Sequence, residues 1–308
     1  MVLSNLREKL LSFCELVYTD LEHINQLFTN KSCSWKVGSC FLLIILPISL
    51  IIFQFLILYL IPRELTESQF FLNFTYPTLN GMFFSNYIHN VWSIQHLLDN
   101  YIGYIIFIWI SFSVYFILIP ILKKHNRLHF DYPDSSFFLT AIIFLLAFPF
   151  AESGISIYFG RLMGYPGKWG FSGVVWAFTA YFFFLLVLIM YDIILDRFSK
   201  NIGSRTEPLD EKSRNTLETG IGLFLILTTS IVIILPLYVI LLDIGNEKIN
   251  FIGHFAGFTF GLIISILSAI ICQTPKIKQR IGLGLILISI LIFATSLWYF
   301  ADRPISFI

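Results

Sequence analysis

Seven runs of apolar residues limit this chain more than any other feature. They lie at about 38–61, 95–122, 136–159, 171–195, 218–242, 250–273 and 280–301. Each is close to the ~20 residues that an α-helix needs to cross a hydrocarbon layer. In lipid only helices and closed barrels satisfy their own backbone hydrogen bonds, and the short alternating segments of a barrel are absent. The expected fold class is an all-α integral membrane protein with seven spans. Composition bears on this once: 57% of residues are hydrophobic and 13% charged. That is too few charges to cover a water-facing surface of ordinary makeup, which carries about 25%.

Loop charge orients the spans. With the N-terminus inside, fifteen of the 20 Lys and Arg fall on cytoplasmic segments, and Arg63, Arg161, Lys168, Lys248 and Arg303 fall outside. The positive-inside rule then gives an N-in, C-out chain. The net charge of +1 offers no argument for a nucleic-acid partner. Glu8, Glu15, Asp20 and Glu22 precede any long apolar run, unlike a cleavable signal peptide. The cysteines Cys14, Cys33, Cys40 and Cys272 form no metal-binding spacing and read as free thiols or packing residues.

Residues 1–37 read as a cytoplasmic segment. Leu6, Leu10, Phe13 and Val17 recur at helical spacing, which predicts a short amphipathic helix on the membrane or docked on the core. Residues 38–273 form a six-span unit, and 274–308 a short loop with one further span. The first outer loop, 62–94, is long and aromatic, and is expected to pack into the outer leaflet or over a site. Arg161 and Lys168 read as interfacial anchors, His89 as solvated, and the charged stretch 196–217 as a solvated linker.

Polar groups inside spans are costly and are functional candidates by default. His96 and Asn100 begin the second span, Ser172 begins the fourth in GFSGVVWAF, and His254 lies four residues into the sixth. All three spans enter from the outer face, so the four residues share one shallow depth. A serine hydroxyl becomes a nucleophile when a base takes its proton. His254 can be that base, in a Ser–His dyad rather than a triad. The unpaired N–H groups at the start of the fourth helix can hold an oxyanion, with His96 and Asn100, one turn apart, as further donors. Gly170 and Gly173 leave the serine uncrowded, and Gly257 with Gly261 let the sixth helix approach the fourth. The plain alternatives stay open: a serine bonded to its own helix, a GxxxG that only packs, and a histidine satisfied as a polar residue. Trp176, one turn after Ser172, either packs or buttresses an imidazole.

Taken together these motifs resemble the rhomboid family of intramembrane serine proteases. The likeness rests on His-x-x-x-Asn (His96, Asn100), Gly-x-Ser-Gly (Gly170, Phe171, Ser172, Gly173) and His-x-x-Gly-x-x-x-Gly (His254, Gly257, Gly261), in that order over about 38–273. The resemblance implies a six-helix core plus one C-terminal helix. It implies Ser172 and His254 as the catalytic dyad, an aromatic Trp176 stacked on the histidine, and no metal or organic cofactor. It further implies single-pass membrane proteins as substrates, cut near the outer end of their helix, and a gate at about 218–242 with a cap at 243–250. The chain departs in two places. Arg63 in the first outer loop has no adjacent Trp, and ILKKHN ends the second span where an acidic residue is common. The cell membrane is the expected location. Two rivals remain: a catalytically inactive rhomboid-like protein that grips membrane helices, and a small transporter. The polar residues gather near one face and show no inverted repeat, which argues against the transporter.

Overall fold

The computed structural model describes residues 15, 18–89, 94–124, 134–168, 170–203, 234, 236, 238–240 and 251–272. The chain is mostly helical over these. Among the described residues four helices are long and apolar enough to cross a membrane: Cys33–Ile57, Leu97–Lys124, Ser172–Ile194 and Phe251–Ile270. They coincide with the first, second, fourth and sixth expected spans. Most of the fifth, and all of the seventh, lie outside the described residues, as do Leu6, Leu10, Phe13 and Val17.

The first span is α1 (Cys33–Cys40), a π-helical turn over Phe41–Ile45, and α2 (Leu46–Leu60). It starts earlier than expected because Ser32 caps it, its hydroxyl accepting from the Trp35 N–H at 3.2 Å. The second is α5 (Ile94–Ser113), a π-helical turn over Val114–Leu118, and α6 (Ile119–Lys124). Both π turns end two residues before a proline, at Pro47 and Pro120. A proline ring clashes with the carbonyl four residues back and brings no N–H. Here the residue before each proline donates five residues back, Leu46 to Phe41 and Ile119 to Val114, and the wider turn accommodates the ring.

The expected third span is not one rod. It is α7 (Asp134–Leu146) and α8 (Phe148–Leu162), bent by 42° at Ala147. Pro149 is the cause, because it cannot donate to the Leu145 carbonyl. The Tyr87 hydroxyl donates to that carbonyl instead, so the acceptor that Pro149 frees is satisfied.

The segment expected as the first outer loop holds structure of its own: α3 (Arg63–Phe70), β1 (Leu72–Asn73) and α4 (Leu79–Phe84). Strand β1 pairs antiparallel with β2 (Gly167–Lys168), Leu72 opposite Lys168 and Asn73 opposite Gly167. Arg161 is not a lipid anchor. Its guanidinium donates to the Phe74 carbonyl, and to the Thr75 carbonyl at 2.9 Å, tying this loop to α8.

Helix α9 (Ser172–Gly203) runs beyond the expected membrane end at 195 into the stretch read as a linker, and α10 (Phe251–Cys272) packs along it. Phe112, Phe116, Phe137, Phe144 and Phe178 form the buried core with Tyr104 and Tyr181. On the other flank, a helix over 18–29 docks through Asp20 on Lys124 at 2.8 Å and Phe28 on Trp35 at 5.3 Å. Cys33 and Cys40 are free, exposed thiols.

Candidate active site

Ser172 is the first residue of α9. The chain reaches it through Gly170, whose φ of +130° lies where side chains are strained. Ser172 is buried, at 4% exposure. Polar residues in membrane helices commonly bond their own backbone, and Ser39, Thr179 and Ser265 do so, each donating to the carbonyl four residues back. No such bond ties the Ser172 hydroxyl among the described residues.

His254 lies in the first turn of α10, 7% exposed. The Trp176 ring packs on its imidazole, centroids 5.6 Å apart and planes tilted by 37°. The two helices meet along glycines. A Cβ on Gly173 would stand 3.3 Å from the Gly253 carbonyl oxygen, so the neighbours of Ser172 and His254 touch. A Cβ on Gly257 would collide with the Gly173 carbonyl, and one on Gly261 would meet the Ala177 carbonyl oxygen at 2.7 Å. Ser172, His254, Trp176, Gly173, Gly257 and Gly261 are therefore gathered at one helix pair.

Asn100, in α5, reaches the same place through a residue that the sequence reading set aside. His89 is not solvated; it is 2% exposed. Its Nε2 stands 2.8 Å from Asn100 Nδ2 and accepts from the Phe171 N–H at 3.4 Å. The backbone of His89 is held in turn by Gln54 of the first span. Gln54 Nε2 donates to the His89 carbonyl at 3.1 Å, and the His89 N–H donates to Gln54 Oε1 at 2.9 Å. His96 lies one turn before Asn100 in α5, with its side chain outside the described residues.

The segment Ser85–His89 forms a platform under the Ser172 turn. The Ser85 carbonyl accepts from the Gly170 N–H at 2.8 Å, and Tyr87 packs on Phe171 with centroids 5.6 Å apart. Asn86 Oδ1 accepts from Lys168 Nζ at 3.3 Å. Lys168 is no interfacial anchor either: it is buried and ion-paired with Glu152 of α8. Burial pushes its ammonium well below the ordinary lysine value. Glu152 and Gln54 carried a legible signal, since each is a polar group inside an apolar run. His89 carried none.

The expected gate is described only at 234, 236 and 238–240, where Ile240 packs with Ala180 and Phe258. A cleft of about 670 Å³ lies elsewhere, between the first span and α4 and α7; Leu50, Phe53, Phe84 and Leu145 line it, and it includes no candidate residue. Among the described residues no group of three His, Cys, Asp or Glu side chains is placed to hold a metal ion. No protein-family model, no curated protein and no solved structure matches this chain.

Proposed function

We propose that this chain is an intramembrane serine endopeptidase of rhomboid type, with Ser172 as nucleophile and His254 as general base. One observation carries the reading. A buried serine whose hydroxyl is not bonded to its own helix stands at the start of α9, and glycine contacts press that turn against the turn bearing His254. The Trp176 ring on the imidazole and the Asn100–His89–Phe171 contacts support it further.

The chemistry follows from the residues. His254 takes the Ser172 proton as Oγ attacks the carbonyl carbon of a peptide bond. The negative charge on the carbonyl oxygen is met by the Ser172 N–H at the positive helix end, with Asn100 and His96 as side-chain donors. The intermediate collapses, the C–N bond breaks, and His254 gives its proton to the leaving amine. Water, deprotonated by His254, then releases the acyl group from Ser172. In this reading the full chain has six core spans and a seventh at 280–301, runs N-in and C-out, and sits in the cell membrane. Its substrates are single-pass membrane proteins cut near the outer end of their helix.

The test is labelling of detergent-solubilised protein by a fluorophosphonate, beside cleavage of a reporter transmembrane helix. Ser172→Ala and His254→Ala are each expected to remain folded and to lose labelling and cleavage. Full activity in either variant refutes the mechanism. A folded wild type that binds the reporter helix but takes no probe assigns the chain to non-catalytic helix binding.

A further inference from the structure

His89 lies outside the dyad, yet it touches both the turn that carries Ser172 and a side chain assigned to the oxyanion. Its Nε2 accepts from the Phe171 N–H at 3.4 Å. A backbone N–H can only donate, so that ring nitrogen carries no proton. The imidazole is therefore neutral, with its proton on Nδ1. The same Nε2 stands 2.8 Å from Asn100 Nδ2, and an unprotonated nitrogen accepts there from the amide N–H. Two donors share one lone pair, and the shorter bond goes to Asn100.

This bond fixes something that the shape of Asn100 leaves open. A side-chain amide places its oxygen or its nitrogen in nearly the same space, and the neighbours choose between them. The Nε2 lone pair repels the oxygen and accepts the nitrogen. Nδ2 carries two hydrogens, so one can stay on His89 while the other meets a developing oxyanion. Flipped, the amide would set its carbonyl oxygen against that negative charge. The imidazole is not what holds its own segment in place. Gln54, 1% exposed, bonds the His89 backbone in both directions. The Ser85 carbonyl accepts from the Gly170 N–H, and the Tyr87 hydroxyl donates to the Leu145 carbonyl. A changed side chain at position 89 leaves these anchors intact.

Resting on the protease reading, we infer that His89 is a positioning residue. Its unprotonated Nε2 holds the Asn100 amide with the nitrogen toward the oxyanion site and ties that amide to the Phe171–Ser172 turn. What the site needs at position 89 is an acceptor at the reach of Nε2. Glutamine supplies one, because its carbonyl oxygen extends about as far as Nε2. Asparagine, one methylene shorter, stops near Nδ1.

The experiment is fluorophosphonate labelling of the full chain in detergent over a range of probe concentrations. It separates the maximal labelling rate from the apparent probe affinity, with thermal unfolding recorded for each variant. His89→Asn is expected to lower the maximal rate by ~100-fold, the scale of losing one oxyanion donor, with the apparent affinity unchanged. His89→Gln is expected to label at least about tenfold faster than His89→Asn. A folded His89→Asn within about tenfold of the wild-type rate overturns the proposal, as does a folded His89→Gln with a smaller gain than that. Asn100→Ala is expected to cost less in the His89→Asn protein than in wild type, because the amide there is already unheld; an equal cost in both overturns the coupling. Where only one His89 variant folds, it decides by itself: His89→Gln must label within about tenfold of wild type, and His89→Asn must fall further than that. Two variants that both fail to fold assign His89 to stability and overturn the role. A folded wild type that takes no probe overturns the protease reading and this role with it, whereas a labelled wild type with an indifferent His89→Asn overturns this role only.

Discussion

Replacing Gly257 by Ala tests the contact on which the proposed chemistry depends. The added methyl would collide with the Gly173 carbonyl oxygen, and would also stand 3.0 Å from the Gly173 carbonyl carbon and from Trp176 Cβ. The carbonyl is backbone in the first turn of α9, and Trp176 Cβ is fixed to the same helix, so no flexible end can swing away. Helix α10 must retreat, by about 1 Å, and His254 lies three residues back in the same helix. A misplacement of that size costs roughly 100-fold in rate, or about 2.7 kcal/mol of barrier. Overpacking adds ~1–3 kcal/mol of lost stability. Gly261→Ala is milder: its Cβ meets Ala177 and Ala180 atoms at 2.7–2.8 Å, below the 3.4 Å of ordinary contact, and two turns from His254. Gly173→Ala is milder again, with its nearest neighbours at 3.1 and 3.3 Å. Fluorophosphonate labelling rates and thermal unfolding in detergent should both rank Gly257→Ala as most damaged and Gly173→Ala as least. A Gly257→Ala protein with wild-type rate and melting temperature would refute the argument that glycine contact sets the Ser172–His254 geometry.

Further outcomes follow from other contacts. Asn100→Ala should slow turnover and leave detectable cleavage, and unchanged turnover would remove Asn100 from the site. His89→Ala should slow labelling more than Asn100→Ala, because it takes an acceptor from the Phe171 N–H as well as from Asn100; the two rate constants decide it. Tyr87→Phe removes the donor to the Leu145 carbonyl at the bend between α7 and α8. Loss of that donor costs ~1–3 kcal/mol, read as a lowered melting temperature.

How much was legible depended on how far apart the partners lie. The GFSG turn, His96 with Asn100, and the Gly257–Gly261 seam are local patterns, readable from spacing. Pro149 was equally visible inside the run 136–159, yet an apolar count does not register a bend. Glu152 and Gln54 also stood in apolar runs, and each finds its partner in a loop, at Lys168 and His89. The errors at His89, Arg161 and Lys168 share one cause. Each is a loop residue next to a span, where polar side chains ordinarily meet water or lipid head groups. Here each is covered by, or tied to, a segment distant in the chain.

By itself, then, the sequence determined which stretches can enter a bilayer and which residues carry reactive groups. Hydropathy and side-chain chemistry belong to each residue wherever it ends up. Only the tertiary structure decided which polar groups are buried and what they touch. The bend at Ala147 between α7 and α8, the pairing of β1 with β2 and the laying of Ser85–His89 beneath Gly170 and Phe171 bring together groups from four separate segments. Burial and hydrogen bonding arise from such long-range contacts, and no local pattern encodes them.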